Sequence, residues 1–120
     1  TVAQIAKKTV QALVDNFGCE PQNLVAAIAP SIGSCCYEVD DFVRDKAQGY
    51  EEFFAPVEQK PGKYMLDLWS YNRRELLEAG LLPEHIAVSG ICTADNHELF
   101  CSYRTEAGKT GRMGVCLCRP

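Results

Sequence analysis

Apolar residues Val2, Ile5, Ala6, Val10, Leu13, Val14 and Phe17 recur at helical spacing, with Lys7, Lys8, Gln11 and Asp15 largely on the opposite side. The pattern predicts an amphipathic helix, ended by Gly18, which can adopt the left-handed conformation. Pro21 and Asn23 mark a turn. Residues 24–29 then form an unbroken apolar run of strand length, the pattern of a strand buried on both faces. Pro30 and Gly33 break that run, and the small residues around them leave backbone amides accessible. Residues 35–39 extend the turn into a short strand. Asp40 and Asp41 suit the cap and first turn of a helix running to about Ala47. Residues 49–62 carry Phe53, Phe54 and Val57 but also Pro56 and Pro61, and read as a short helix followed by a surface loop.

Further on, residues 64–66 suit a brief extended segment, and Asp67 stands where the next helix starts. Its apolar stripe is Leu68, Trp69, Asn72, Leu76 and Leu77, with Arg73, Arg74, Glu75 and Glu78 mostly outside and Gly80 as the stop. Pro83, Glu84 and His85 open a turn that leaves His85 exposed. Residues 86–91 read as a second strand, 92–100 as a polar irregular segment, and 112–118 as a third strand with Met113, Val115 and Leu117 on one face. The order helix, strand, helix, helix, strand, loop, strand predicts an α/β (α+β) layer, a mixed sheet with flanking helices, in a single domain over residues 1–120.

Composition narrows the function classes. At 120 residues the chain suffices for one modest core, and 47% hydrophobic with 23% charged residues is a globular profile. A formal net charge of −4 argues against a nucleic-acid partner, which calls for a basic face. No apolar run reaches the roughly 18 residues of a membrane helix, and no signal-peptide pattern opens the sequence, so the expected compartment is the cytoplasm.

The seven cysteines are Cys19, Cys35, Cys36, Cys92, Cys101, Cys116 and Cys118. An odd number fits no closed disulfide framework, and no Cys-x-x-Cys pair is present. In a reducing compartment most of them read as small buried hydrophobes, with a reactive thiol as the alternative at Cys35, Cys36 or Cys92. His97 follows Cys92 and Asp95, so a metal group from these three, or a Cys–His nucleophile pair using Cys35 or Cys92, is chemically open. Ser102, Tyr103 and Arg104 place a hydroxyl, a phenol and a guanidinium together, and Arg suits an anion as well as a surface ion pair. Residues 108–111 are a Gly-x-x-Gly hairpin turn rather than a nucleotide phosphate loop, whose spacing is absent.

Several segments taken in order carry a resemblance. They are residues 28–39 (IAPSIGSCCYEV), Leu66-Asp67-Leu68-Trp69 with Asn72-Arg73 and Leu76-Leu77, then Cys92-Thr93, Ser102-Tyr103-Arg104 and Gly111-Arg112-Met113. The ordered set resembles the laccase-domain family, known both as multicopper polyphenol oxidases and as purine nucleoside phosphorylases. The resemblance covers essentially the whole chain. It implies part of a four-layer α/β/β/α fold, phosphorolysis of adenosine, inosine and related nucleosides, and adenosine deamination. The partners it implies are a purine nucleoside and phosphate. The cofactor it implies is zinc or copper, held by a His in a Gln-x-His segment, a Cys in Ala-Asp-Cys and a His in His-Ala-Gly-Trp-Arg-Gly. None of those segments occurs in this sequence, so no metal is expected to be held by this chain alone, and its own cysteines and histidines inherit no ligand role. Thr1 falls just downstream of the last segment. The chain is therefore expected to be the C-terminal portion of a laccase-domain-like protein, inactive in isolation. Thr105, where many relatives have a second basic residue, and Cys101, where Phe is common, depart from the family pattern.

On this resemblance the substrate-binding residues are expected to be Ser31, Gly33, Cys35, Cys92, Thr93, Ser102 and Arg104. Gly33 would let the backbone approach a ligand closely, Arg104 would hold phosphate or polar ligand atoms, and Ser102 would hydrogen-bond. No catalytic residue is assigned. Two other readings stand beside it: a non-catalytic structural or binding half-domain, inclined to self-association through exposed apolar surface, and a cysteine-based hydrolase or redox protein built on Cys35 or Cys36.

Overall fold

The computed structural model describes residues 1–118. The first helix, α1 (Ile5–Phe17), starts after Gln4, which sits in the left-handed region and offers no side-chain cap. It ends at Gly18, whose φ of 64° lets the following Cys19 N–H turn back to the carbonyl of Leu13. Two further helices are capped by aspartates. Asp40 accepts from the Val43 N–H at the start of α2 (Asp41–Asp45), and Asp67 from the Ser70 N–H at the start of α3 (Leu68–Glu78). Short 3-10 turns occupy Pro21–Asn23, Glu51–Phe53 and Pro83–His85.

The strands sort into two sheets, one parallel and one antiparallel, rather than a single mixed one. β1 (Ala26–Ile28) and β5 (Ile86–Val88) pair in parallel, Ala26 opposite Ile86. β2 (Glu38–Asp40), β3 (Phe54–Pro56) and β4 (Lys63–Leu66) form the antiparallel sheet in the order β2–β4–β3. The class is α/β, as expected.

Helix α3 joins two cores. Tyr71, with no exposure, anchors one, with Val39, Ala47, Tyr50, Phe54 and Leu66 around it. The rings of Tyr50 and Tyr71 stack with centroids 4.4 Å apart. About a turn further along α3, Leu76 enters the second core with Val10 of α1, Leu81 and Ile86. Both parts of the chain thus lean on a single helix.

Several expectations are corrected. The apolar run at residues 24–29 yields only a three-residue strand, and it is not buried on both faces: Ala27 is exposed and Val25 is 73% exposed. One side of β1 meets α3, and no layer among the described residues covers the other. The stretch read as helix and loop contains β3. Pro56 is tolerated because β3 lies at a sheet edge, where a missing N–H costs no ladder bond. Residues 112–118 form no strand and are exposed throughout. Alternation alone makes a strand only where a partner ladder and a face to bury are on offer. Glu75, assigned to the outside of α3, has no exposure; its carboxylate faces the first turn of α1, and neither oxygen has a hydrogen-bond partner among the described residues. His85 is half-buried rather than exposed, with Nδ1 enclosed and unpartnered. Of the seven cysteines only Cys92 is buried, because the others lie in loops, turns or the exposed 111–118 segment. No helix among the described residues is long and apolar enough to cross a membrane.

Candidate functional site

Beyond the ends of β1 and β5 the two chains stay together. Ser31 and Cys92 form an isolated parallel bridge, in which the Ser31 N–H donates to the Ile91 carbonyl and the Thr93 N–H to the Ser31 carbonyl. This extension carries the loop at 31–36 and the turn at 92–95, and it places them side by side under α3. From α3, the Trp69 Nε1–H donates to the Ser31 hydroxyl at 2.8 Å. A cleft opens on each side of this seam.

One cleft, of about 500 Å³, is lined by Ser31, Thr93, Ser102 and Arg104, with Tyr37 and Tyr103 adding aromatic surface. Four of the seven residues named from sequence therefore meet in one place. Arg104 is exposed. Its Nη1 donates to the Glu38 carbonyl at 2.8 Å, and its guanidinium lies 5.3 Å from the Tyr37 ring centroid. Only part of its five-donor fork is used in this way. Ser102 is buried, and its hydroxyl pairs with the Thr105 hydroxyl at 3.2 Å, while the Thr105 hydroxyl also reaches the Ala94 carbonyl. Thr105, where the family pattern is broken, thus braces this wall.

The second cleft, of about 520 Å³, is lined by Cys35, Cys92, Asp95 and Trp69, with Leu99 and Phe100 at its apolar side. Cys35 Sγ and Cys36 Sγ lie 3.0 and 3.1 Å from the two separate oxygens of Asp95, and each thiol donates to one of them. The Asp95 carboxylate, by accepting these bonds, holds the Cys36 thiol up at about 11 and the Cys35 thiol higher still. The same two bonds hold the Asp95 carboxyl below its ordinary range. Cys92 behaves differently. Against the upward push of burial, backbone N–H groups of Gly33, Asp95 and Ala94 hold its thiol below the ordinary value. The ligand atoms of Cys35, Cys36, Cys92 and Asp95 all lie within 4.8 Å of one another, a group able to hold a metal ion. His97 is exposed and outside this group, so neither the Cys92–Asp95–His97 set nor a Cys–His pair is assembled.

Gly33 takes a place different from the expected one. It is buried, and its N–H goes to Cys92 Sγ at 3.2 Å instead of standing free for a ligand. A Cβ there would lie 3.0 Å from Trp69 Cη2, 3.2 Å from Cys92 Cβ and 3.3 Å from Cys35 Sγ. Glycine is needed because three side chains already fill the space. The gathering of Cys36 and Asp95 with Cys35 was not read from the sequence. The only local signal is Cys92-x-x-Asp95, a metal-knuckle spacing with a carboxylate in the second place.

Residues 1–119 match the family described as multi-copper polyphenol oxidoreductase laccase. Purine nucleoside phosphorylase YlmD of Bacillus subtilis is 41% identical over 115 residues, which cover 94% of this chain and 41% of that protein. The purine nucleoside phosphorylase of Bacteroides thetaiotaomicron is 32% identical over 116 residues, 94% of this chain and 43% of that one. Among solved structures, YlmD from Geobacillus stearothermophilus superposes with a TM-score of 0.79 at 38% identity, over 92% of this chain and 42% of that chain. A Bacillus licheniformis protein, YfiH, superposes with a TM-score of 0.80 at 36% identity, with the same coverage. The chain spans less than half the length of these relatives.

Proposed function

The chain belongs to the multi-copper polyphenol oxidoreductase laccase family, and from that membership we propose that it forms part of a purine nucleoside phosphorylase, contributing one wall of the substrate site. The observation that carries this reading is the convergence of Ser31, Thr93, Ser102 and Arg104 on a single cleft. These are the residue types the reaction needs. Phosphorolysis joins a phosphate oxygen to C1′ of the ribose and breaks the bond from C1′ to the base nitrogen, giving ribose 1-phosphate and free base. The reactants are a dianion, a polyhydroxylated ring and a flat heterocycle.

In this reading Arg104 holds phosphate through the donors not spent on Glu38, since a guanidinium fork matches phosphate oxygens bidentately. The Ser31 and Thr93 hydroxyls face the sugar. Trp69, donating to Ser31, fixes that hydroxyl as an acceptor from the protein and leaves its own proton to give away. The exposed Tyr103 ring offers the base a stacking face. Orientation of this kind lowers the barrier by settling the reactants' relative position before reaction. In this reading residues outside this chain would hold the metal of the family's nucleoside chemistry, taken as zinc, which would supply Lewis-acid charge to the reaction. Self-association, which goes with the half-domain reading, is supported by the exposure of Val25 before β1 and of Val88 in β5.

The test is Arg104→Ala in the full-length protein that contains these residues, assayed for phosphate-dependent release of base from inosine and adenosine. A lost charge-assisted bond of about 1.5–3 kcal/mol raises KM for phosphate roughly ten-fold or more, with a smaller change in kcat. Unchanged phosphate kinetics would remove Arg104, and with it the phosphate wall, from the proposal.

A further inference from the structure

We propose that Cys35, Cys36, Cys92 and Asp95 bind a borderline-soft divalent cation of the zinc class, as a three-thiolate, one-carboxylate site. Their ligand atoms are mutually within 4.8 Å, and each comes from a different side chain, as tetrahedral coordination requires. Zinc–sulfur bonds of about 2.3 Å and zinc–oxygen bonds of about 2.0–2.2 Å put tetrahedral ligand atoms roughly 3.5–4 Å apart, so the group needs only small adjustments. Thiolate donors select zinc-like over magnesium- or calcium-like ions.

The surroundings of Cys92 are a second, independent reason. Its sulfur receives the Gly33 N–H at 3.2 Å, with the N–H groups of Ala94 and Asp95 close by. A backbone N–H donated to a sulfur serves an anionic thiolate far better than a neutral thiol, and such a donor is an outer-shell partner that tunes a metal-bound sulfur. The turn 92–95 supplies Cys92 itself and a second ligand, Asp95, from its last residue. The remaining two ligands come from the loop 33–36. Without metal, Cys35 and Cys36 spend their protons on the two Asp95 oxygens. Binding releases the three thiol protons and replaces two S–H···O bonds with coordination of the same atoms. Cys35 is exposed and the cleft beside it is open, which gives the ion a way in. Since Cys35 and Asp95 are 60 residues apart, the ion would tie two distant segments directly beside the seam that carries Ser31 and Thr93.

The site is tested on the full chain, reduced, stripped with a chelator and titrated with cobalt(II), which replaces zinc and reports its ligands by colour. The expected result is a sulfur-to-cobalt charge-transfer band with the intense visible bands of a tetrahedral ion. Cys36→Ser and Cys92→Ser each take up one equivalent fewer than the parent protein by elemental analysis and lose that band. Asp95→Asn keeps a weakened band with affinity lower by at least about ten-fold. Trp69 emission verifies that each variant is folded, and Cys36→Ser, at a half-exposed position, keeps the test open where Cys92→Ser does not fold. Absence of the charge-transfer band in the parent protein overturns the proposal. So does an undiminished band in Cys36→Ser, or the capture of these thiols as a disulfide with no metal taken up under reducing conditions.

Discussion

Replacing Gly33 by alanine puts the packing of the seam directly at stake. The added methyl would stand 3.0, 3.2 and 3.3 Å from Trp69, Cys92 and Cys35. Two terms favour the change. Alanine restricts the unfolded chain, worth about 0.4–1 kcal/mol, and a buried methyl gains roughly 0.8 kcal/mol by transfer. Against them stands overpacking, which in a filled core costs about 1–3 kcal/mol. Here the upper part of that range applies, because the three contacts lie on a rigid ring, a backbone-anchored Cβ and a sulfur already engaged with Asp95. The net expectation is a loss of about 1 kcal/mol. With an unfolding entropy of about 2.1 cal/mol/K per residue, that lowers Tm by roughly 4 °C. Urea unfolding followed by the emission of Trp69, the single tryptophan, reads both stability and the local environment. Trp69→Phe removes the atom nearest the new methyl, so the Gly33→Ala, Trp69→Phe pair, followed by circular dichroism, is expected to recover most of the loss. A Gly33→Ala protein as stable as the parent, with Trp69 emission unmoved, would refute the packing argument.

Glu75→Gln tests the buried carboxylate of α3. Burial raises its carboxyl above the ordinary carboxylate range, partly offset by the α1 N–H groups. The folded state therefore holds this proton more tightly than the unfolded one. The contribution is unpenalised below the ordinary carboxylate value and is lost as pH rises through the folded value. The stability of Glu75→Gln relative to the parent is expected to increase with pH across that window in urea titrations, and a difference independent of pH would contradict it. Asp67→Ala removes the acceptor for the Ser70 N–H at the head of the helix shared by both cores, with an expected loss of about 1 kcal/mol. A change below about 0.3 kcal/mol in the same urea assay would show that the cap is redundant.

The helices were legible because their signals are local. The period of α1 and the aspartate caps of α2 and α3 lie within one or two turns of sequence. What failed depended on distant partners. The run at 24–29 reads as a central strand, but whether a strand is covered on both faces is decided by layers elsewhere. The alternation at 112–118 is equally clear and finds nothing to pair with among the described residues. Pro56 argued against a strand that its edge position permits. Glu75 sits on α3 at a position that only the approach of α1 makes internal. The site divides along the same line. Resemblance supplied Ser31, Thr93, Ser102 and Arg104, which share a cleft. It could not show that Cys36 and Asp95 meet, since 59 residues separate them.

The parallel pairing of β1 with β5 has a kinetic consequence. The antiparallel strands lie between Glu38 and Leu66, and they can assemble through short closures. The parallel pair must wait until everything between Ile28 and Ile86 is drawn in, a closure whose entropic cost grows with the length enclosed. Both clefts exist only when that join is made, because Ser31 and Cys92 are its continuation. A chain that has formed its antiparallel half still has no site. An excursion that parts β1 from β5 erases both clefts at once while the aromatic core around Tyr71 stays closed. Binding at either cleft would therefore act as a latch on the join, holding shut a pairing between two segments far apart in the sequence.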